Sequence, residues 1–127
     1  MLAYLLTLAL AAWGAINPPT IDIEWFSNDI GGGVYAQTGY HPETSYCLIG
    51  VSAPHWEELT DFARLSLIEH ELGHCLGLPD YGDCNSTYTA SVMGCAMGLE
   101  VTPLDKIRYL QASKLAYKTF AIGVVSP

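Results

Sequence analysis

The stretch HELGHCLGLPD, residues 70–80, places two histidines four residues apart, with a glutamate beside the first and an aspartate at its end. On a helix, residues four apart lie on the same face, one turn from each other. His70 and His74 can therefore direct both imidazoles at one metal ion. Nitrogen and carboxylate ligands are typical of zinc sites. Glu71 is rotated around the helix from His70. The pattern predicts that Glu71 reaches a water on the metal, as a general base would.

The residues around this stretch predict a helix over about 58–77. Apolar residues recur there at three- and four-residue steps, at Leu65, Ile68, Leu72 and Leu76. We expect the helix to begin near Thr60 and to end at Gly77, which can adopt the positive φ of a helix terminus. The turn that follows can bring Asp80 to a third coordination position. Gly73 lies inside the helix, where glycine costs about 1 kcal/mol relative to alanine, so something is expected to pack closely against it.

The rest of the chain predicts a small α+β domain. TIDIEWF (20–26) alternates apolar and polar residues, as a strand does. VYAQTGY (34–40) and SYCLIGVSA (45–53) are β-rich runs that indicate a hairpin. A further helix is expected over about 103–118, with Thr102 as its N-cap and a proline at its first position. A chain of 127 residues fits one domain with a small mixed sheet.

The first fifteen residues form one apolar run without a charged side chain. The run is short for a bilayer span, which needs about 20 residues, and it suits the apolar part of a secretory signal. Cleavage after Gly14 or Ala15 would leave a mature domain of residues 16–127, secreted and with no membrane span. The alternative is an N-terminal helix or strand that packs within the fold.

Four cysteines in a small exported chain favour two disulfides, and three pairings are possible. Cys84 and Cys95 flank a loop that a bridge could close, so this pair is favoured, which leaves Cys47 with Cys75. A reduced, buried Cys47 and Cys75 is the alternative. The cysteines lack CxxC spacing, which argues against a cysteine-ligated zinc site.

The charge of the chain bears on its partners. Thirteen acidic and five basic residues give a formal net charge of −8. Nucleic-acid binding requires clustered lysine and arginine, so we expect no nucleic-acid partner. We expect the protein to act as a monomer.

Together, HExGHxxGxxD and the downstream SVMG (91–94) resemble the metzincin clan of zinc endopeptidases, whose pattern is HExxHxxGxxH/D followed by a Met-containing turn. The aspartate variant and the small size are similar to the snapalysin family of secreted bacterial proteases. The wording HELGHCLGL and the helix start VTPLDKIRYLQ are also similar to matrixins. The resemblance covers residues 60 to about 111. It implies a minimal metzincin-like domain that hydrolyses peptide bonds with one catalytic Zn²⁺.

The resemblance also implies a role for individual residues. The three zinc ligands would be His70, His74 and Asp80, and Glu71 would be the catalytic general base. Met93 would be the Met-turn residue, an apolar floor beneath the metal. The strand containing Val34, Tyr35 and Ala36 would be the edge strand that pairs with an extended peptide or protein substrate. The sequence departs from some metzincins at Cys95, where they have a tyrosine.

Three alternatives stay open at this point. In the first, the protein is still a zinc peptidase but Glu100 supplies the third ligand. In the second, the chain is a catalytically degenerate zinc-binding module that binds a protein partner without cleaving it. In the third, it is a plain exported disulfide domain without a metal. Glu71 argues against the second alternative, because a structural metal site has no need of a base.

Overall fold

The computed structural model describes residues 2–27, 34–80, 91–94, 100–119 and 124–126. These residues form an α+β domain of four α-helices and four strands, and short 3₁₀ and turn segments join some of them. The elements, in chain order, are α1 (Leu2–Trp13), β1 (Thr20–Phe26), β2 (Ala36–His41), β3 (Tyr46–Ser52), α2 (Ala53–Glu57), α3 (Asp61–Cys75), α4 (Pro103–Thr119) and β4 (Val124–Ser126).

The strands form one mixed sheet in the order β1-β3-β2-β4. β1 runs parallel to β3, whereas β2 is antiparallel to both β3 and β4. The hairpin that the sequence predicts is confirmed as β2 and β3, joined by a 3₁₀ turn over Pro42–Thr44. Ser45 ends that turn with φ 51°, which redirects the chain into β3. α3 packs across β2 and β3, so the metal-motif helix lies on the sheet.

The helix that carries the two histidines begins and ends as its sequence predicts. Thr60 is the N-cap, and its Oγ1 accepts a hydrogen bond of 3.2 Å from the Ala63 amide. At the other end Gly77 has φ +92°. The Leu78 amide donates to the Gly73 carbonyl and the Gly77 amide donates to the His74 carbonyl, both at 3.0 Å. This is a Schellman motif, and it turns the chain back along the helix.

The apolar N-terminal run is helix α1, and it packs on α3. Leu5, Ala9 and Trp13 are buried in the core. Trp13 Nε1 donates a 2.8 Å hydrogen bond to the Glu69 carbonyl, and its ring meets Tyr109 edge-on. The N-terminal run thus packs within the fold as a helix, which is the alternative to a signal segment given above. Signal cleavage stays a prediction, and it would remove these three residues from the core.

No helix among the described residues has the length and hydrophobicity to cross a lipid bilayer.

A disulfide joins Cys47 on β3 to Cys75 at the end of α3. Both residues are completely buried, and their Cα atoms lie 5.6 Å apart. The predicted pairing of these two cysteines is confirmed, whereas Cys84 and Cys95 lie outside the described residues. The bridge fixes the last turn of α3 to the centre of the sheet, one residue after His74.

Replacing Cys47 and Cys75 together by alanine should lower the free energy of unfolding by about 3–4 kcal/mol. The bridge spans a sequence separation of 28 residues, and closing a loop of this size restricts the unfolded chain by about that amount. Urea unfolding of the oxidised protein and the double variant measures the difference. A loss of less than about 1 kcal/mol would contradict the structural role assigned to the bridge.

Candidate metal centre

Both histidines of α3 are held by backbone carbonyls through their Nδ1 atoms. His70 Nδ1 lies 2.8 Å from the Val92 carbonyl, and His74 Nδ1 lies 2.7 Å from the Leu78 carbonyl. A carbonyl oxygen only accepts hydrogen bonds, so each Nδ1 carries a proton and donates it. In the neutral ring, Nε2 then keeps its lone pair, which is the form that binds a metal.

Asp80 lies against the Nε2 atoms of both histidines. Its Oδ1 is 3.2 Å from Nε2 of His70 and 3.2 Å from Nε2 of His74. Ligand atoms bound at 2.0–2.1 Å with tetrahedral angles are about 3.3 Å apart. The distance from Asp80 Oδ1 to each Nε2 therefore fits ligands of a common metal ion. The Schellman turn at Gly77 produces the arrangement, because it returns the chain to the helix face that carries the histidines.

Glu71 is completely buried next to this group. Its Oε1 accepts a 2.7 Å hydrogen bond from the Thr38 hydroxyl on β2. Its other oxygen, Oε2, lies 3.7 Å from His70 Nε2. Within the described ranges, Glu71 Oε2 and His74 Nε2 are buried atoms with no hydrogen-bond partner. Such orphaned acceptors are costly unless a cation or water completes them.

The turn at residues 91–94 contacts the cluster at His70. Its Val92 carbonyl holds His70, and the Val92 amide donates to Asp105 Oδ2 at 2.9 Å. Ser91 Oγ donates to the other oxygen of Asp105. Asp105 is completely buried in the first turn of α4 and also accepts from the Thr102 amide and hydroxyl. One carboxylate thus connects α4 to the turn that orients an imidazole.

Gly73 is needed because this turn approaches α3 so closely. A Cβ at this position would lie 2.9 Å from the Trp13 ring and would overlap the sulfur of Met93. Met93 is itself completely buried. The close neighbour that the sequence predicts at Gly73 is therefore present, and it comes from both α1 and the 91–94 turn. Met93 lies against α3 at Gly73. The role of Met93 as a Met-turn residue stays a prediction.

Burial and charge shift the pKa values of the cluster in different directions. Burial alone lowers the pKa of His70, but the hydrogen bond to Asp80 and the charge of Glu71 raise it to about 9. Burial, then the charge of His70, lowers the pKa of His74. Burial raises the pKa of Glu71 to about 7, although His70 and the Thr38 hydroxyl act to lower it. In the metal-free protein, His70 is thus the imidazole that carries positive charge.

The donor set fits a metal ion. Ligand atoms of His70, Glu71 and His74 lie within 4.8 Å of one another, and Asp80 adds a carboxylate beside both imidazoles. Asp80 is about half exposed and His70 is 14 % exposed, whereas His74 and Glu71 are buried. The cluster is therefore accessible from the Asp80 side and closed on the other.

Other residues singled out in the sequence have different surroundings. Glu100 lies near Glu69, where burial first and the charge of Glu100 second raise the pKa of Glu69 to about 7. The possible metal-holding group among the described residues is His70, Glu71 and His74, and it includes neither Glu100 nor Asp80. Asp80 is favoured over Glu100 as the third ligand because its Oδ1 lies 3.2 Å from Nε2 of both histidines.

The strand predicted to bind substrate is β2, which contacts the cluster because the Thr38 hydroxyl donates to Glu71. β4 pairs with β2 at Thr38, Gly39 and Tyr40, so β2 is an interior strand over these residues. Val34, Tyr35 and Ala36 precede that paired region, and Ala36 is buried. Their role in substrate binding stays a prediction.

Two residues of the site are not predicted by the sequence pattern. Thr38 and Asp105 are buried polar side chains that bond to Glu71 and to the 91–94 turn. For Thr38 the only signal was a polar residue within a β-rich run. For Asp105 it was an acidic residue three positions after an N-cap threonine, the spacing of a capping box.

Comparisons with protein-family models, with curated proteins and with solved structures find no match to this chain. The site must therefore be interpreted from its own geometry.

Zinc binding should release at least one proton per ion at about pH 7. The pKa of His70 is raised to about 9, so its imidazole is protonated at that pH, and a metal ligand must be neutral. The affinity should accordingly rise about tenfold per pH unit between about pH 6.5 and 8.5. Calorimetric titration with zinc in two buffers of different ionisation enthalpy measures the proton count. An affinity independent of pH, with no proton released, would contradict the arrangement.

Proposed function

We propose that this protein is a zinc-dependent endopeptidase, in which His70, His74 and Asp80 hold the metal and Glu71 is the general base. One observation carries the proposal. The Nε2 atoms of both histidines converge on Asp80 Oδ1 at 3.2 Å, and the buried Glu71 Oε2 lies beside them with no partner among the described residues. A zinc ion held by two imidazoles and one carboxylate would keep a position open for water or substrate, as catalytic rather than structural sites do.

The protein residues have separate tasks in the reaction. Zinc, when bound, supplies a Lewis acid and makes water more acidic. Glu71 Oε2 would take a proton from the attacking water, whose oxygen would form a bond to the peptide carbonyl carbon. The C–N bond would then break as Glu71 returned the proton to the leaving amine nitrogen. Burial raises the pKa of Glu71 to about 7 in the protein without metal, and the charge of a bound cation would lower it toward the ionised form that accepts a proton. His70 and His74 stay neutral ligands, fixed by their carbonyl partners.

The proposed substrate is an extended peptide or an unfolded segment of a protein. A peptide in this form can pair with a strand through main-chain hydrogen bonds. β2 is the strand next to the cluster, because Thr38 bonds to Glu71. The cluster opens on the side of Asp80, which is about half exposed. The predicted substrate contacts of Val34, Tyr35 and Ala36 belong to this proposal.

The burial of Glu71 also favours an enzyme over a catalytically degenerate zinc module. A buried carboxylate with an unpartnered oxygen destabilises the fold, so we expect it where the function requires it. A module that only binds a partner would be more stable with an apolar or amide side chain at this position.

Secretion is part of the proposal. The support comes from the disulfide between Cys47 and Cys75, which is typical of oxidising compartments, and from the apolar run at residues 1–15. The metzincin-like pattern agrees with both features.

Glu71→Gln should keep zinc and lose cleavage. Glutamine preserves the shape of the side chain but cannot take the proton, so kcat should fall by roughly 10²–10⁴-fold, while the zinc content stays at one ion per chain. Glu57→Gln is the matched control, because Glu57 is exposed on α2 and its loss should change neither quantity. Cleavage of an unstructured protein substrate and metal analysis measure both. Full activity in Glu71→Gln would contradict the assigned base.

Asp80→Asn should weaken zinc binding by at least tenfold. Loss of a ligand is expected to cost more than loss of the groups behind the ligands, which costs about 10–100-fold in affinity. Competition with a chromogenic chelator measures the change. An unchanged zinc affinity would show that Asp80 is not the third ligand.

Removing residues 120–127 should raise kcat/KM for peptides. β4 pairs with Thr38, Gly39 and Tyr40, so its removal frees the edge of β2 next to the cluster for an extended substrate. The truncated protein should keep its zinc affinity, which serves as the control for an intact site. Equal kcat/KM in a truncated protein that retains zinc would show that substrate does not use this part of β2.

A further inference from the structure

Thr38 is a completely buried polar residue in the middle of β2. It pairs with Ile49 of β3 on one side and with Ser126 of β4 on the other. Its side chain points toward α3, where Oγ1 lies 2.7 Å from Glu71 Oε1 and 3.3 Å from the Glu71 carbonyl oxygen. A hydroxyl has one proton to donate, and the shorter contact identifies Oε1 as its main acceptor.

This hydrogen bond makes the two oxygens of Glu71 unequal. Oε1 is occupied by Thr38, whereas Oε2 lies 3.7 Å from His70 Nε2 and has no hydrogen-bond partner in the described part of the chain. A terminal carboxylate rotates easily, because its last torsion has broad minima. A fixed donor on one oxygen restricts that rotation and directs the other oxygen toward the imidazoles.

We propose that Thr38 is the positioning residue for Glu71. It holds Oε1 so that Oε2 stays turned toward the space between His70, His74 and Asp80. The proposal rests on the function proposed above, since it assigns Thr38 a task only if Glu71 transfers a proton. Reactive groups must be held within about 0.5 Å of their productive positions, and a misplacement of about 1 Å can cost roughly 100-fold in rate.

The place of Thr38 in the fold suits this task. β2 pairs with β3 at this position, so the hydroxyl is carried by a part of the sheet that does not depend on β4. Glu71 is on α3, and the disulfide between Cys47 and Cys75 connects α3 to the neighbouring strand β3. The donor Thr38 and the acceptor Glu71 therefore lie on β2 and α3. The hairpin joins β2 to β3, and the disulfide joins β3 to α3.

The test compares Thr38→Val with Thr38→Ser. Valine keeps the shape and removes the donor, whereas serine keeps the hydroxyl and removes a methyl group. In the zinc-loaded protein, Thr38→Val should lower kcat by roughly 10–100-fold and leave KM and zinc affinity within about twofold. Thr38→Ser should restore kcat to within about threefold of the parent. Thr44→Val is the matched control, because Thr44 is exposed in the hairpin turn, where its hydroxyl donates to the His41 carbonyl.

A second measurement on the metal-free protein tests the contact without using activity. Thr38→Val should lower the denaturation midpoint in the parent protein, and it should have a much smaller effect when Glu71 is already alanine. Equal shifts in the two backgrounds would show that the hydroxyl does not act through Glu71 and would overturn the proposal.

The kinetic results separate this proposal from the proposed function. Full kcat in Thr38→Val, or an equal loss in Thr38→Ser, would overturn the positioning role while leaving the endopeptidase proposal intact. Zinc binding without any cleavage by the parent protein would overturn both, and the denaturation cycle would then report only a structural hydrogen bond.

Discussion

Two hydrogen bonds to backbone carbonyls determine what the imidazoles of α3 can do. With Nδ1 of His70 on Val92 and Nδ1 of His74 on Leu78, both Nε2 atoms face the same space, and Asp80 lies against each of them. If either carbonyl moved, its imidazole could rotate or exchange tautomer, and its Nε2 would no longer lie 3.2 Å from Asp80 Oδ1. The rest of the fold serves to keep those two carbonyls in place.

Each carbonyl is held by a different part of the chain. The Leu78 carbonyl depends on the Schellman turn at Gly77, which follows directly from the end of α3. The Val92 carbonyl depends on Asp105, a buried carboxylate at the start of α4 that binds the 91–94 turn. One support is therefore local and the other joins two segments that are distant in sequence. This difference explains why the sequence revealed one of them and not the other.

The local features were predictable because they follow from backbone chemistry. The N-cap at Thr60, the helix end at Gly77 and the hairpin of β2 and β3 each depend on residues within a few positions. The hydrogen bond from Thr38 to Glu71 joins residues 33 positions apart, and no periodic pattern in the sequence predicts such a contact. The packing of Trp13 against Glu69 spans 56 residues, and the same apolar run satisfies both a signal segment and a core helix.

We propose that His70, His74 and Asp80 bind one metal ion through two nitrogens and one oxygen. X-ray absorption at the zinc edge, on protein loaded with one equivalent of zinc, would identify the atoms bound to the ion. We expect a four-coordinate ion with nitrogen and oxygen neighbours at about 2.0–2.1 Å and with no sulfur, and a changed spectrum in Asp80→Asn. Sulfur neighbours at about 2.3 Å, or folded protein that takes up no zinc, would contradict it.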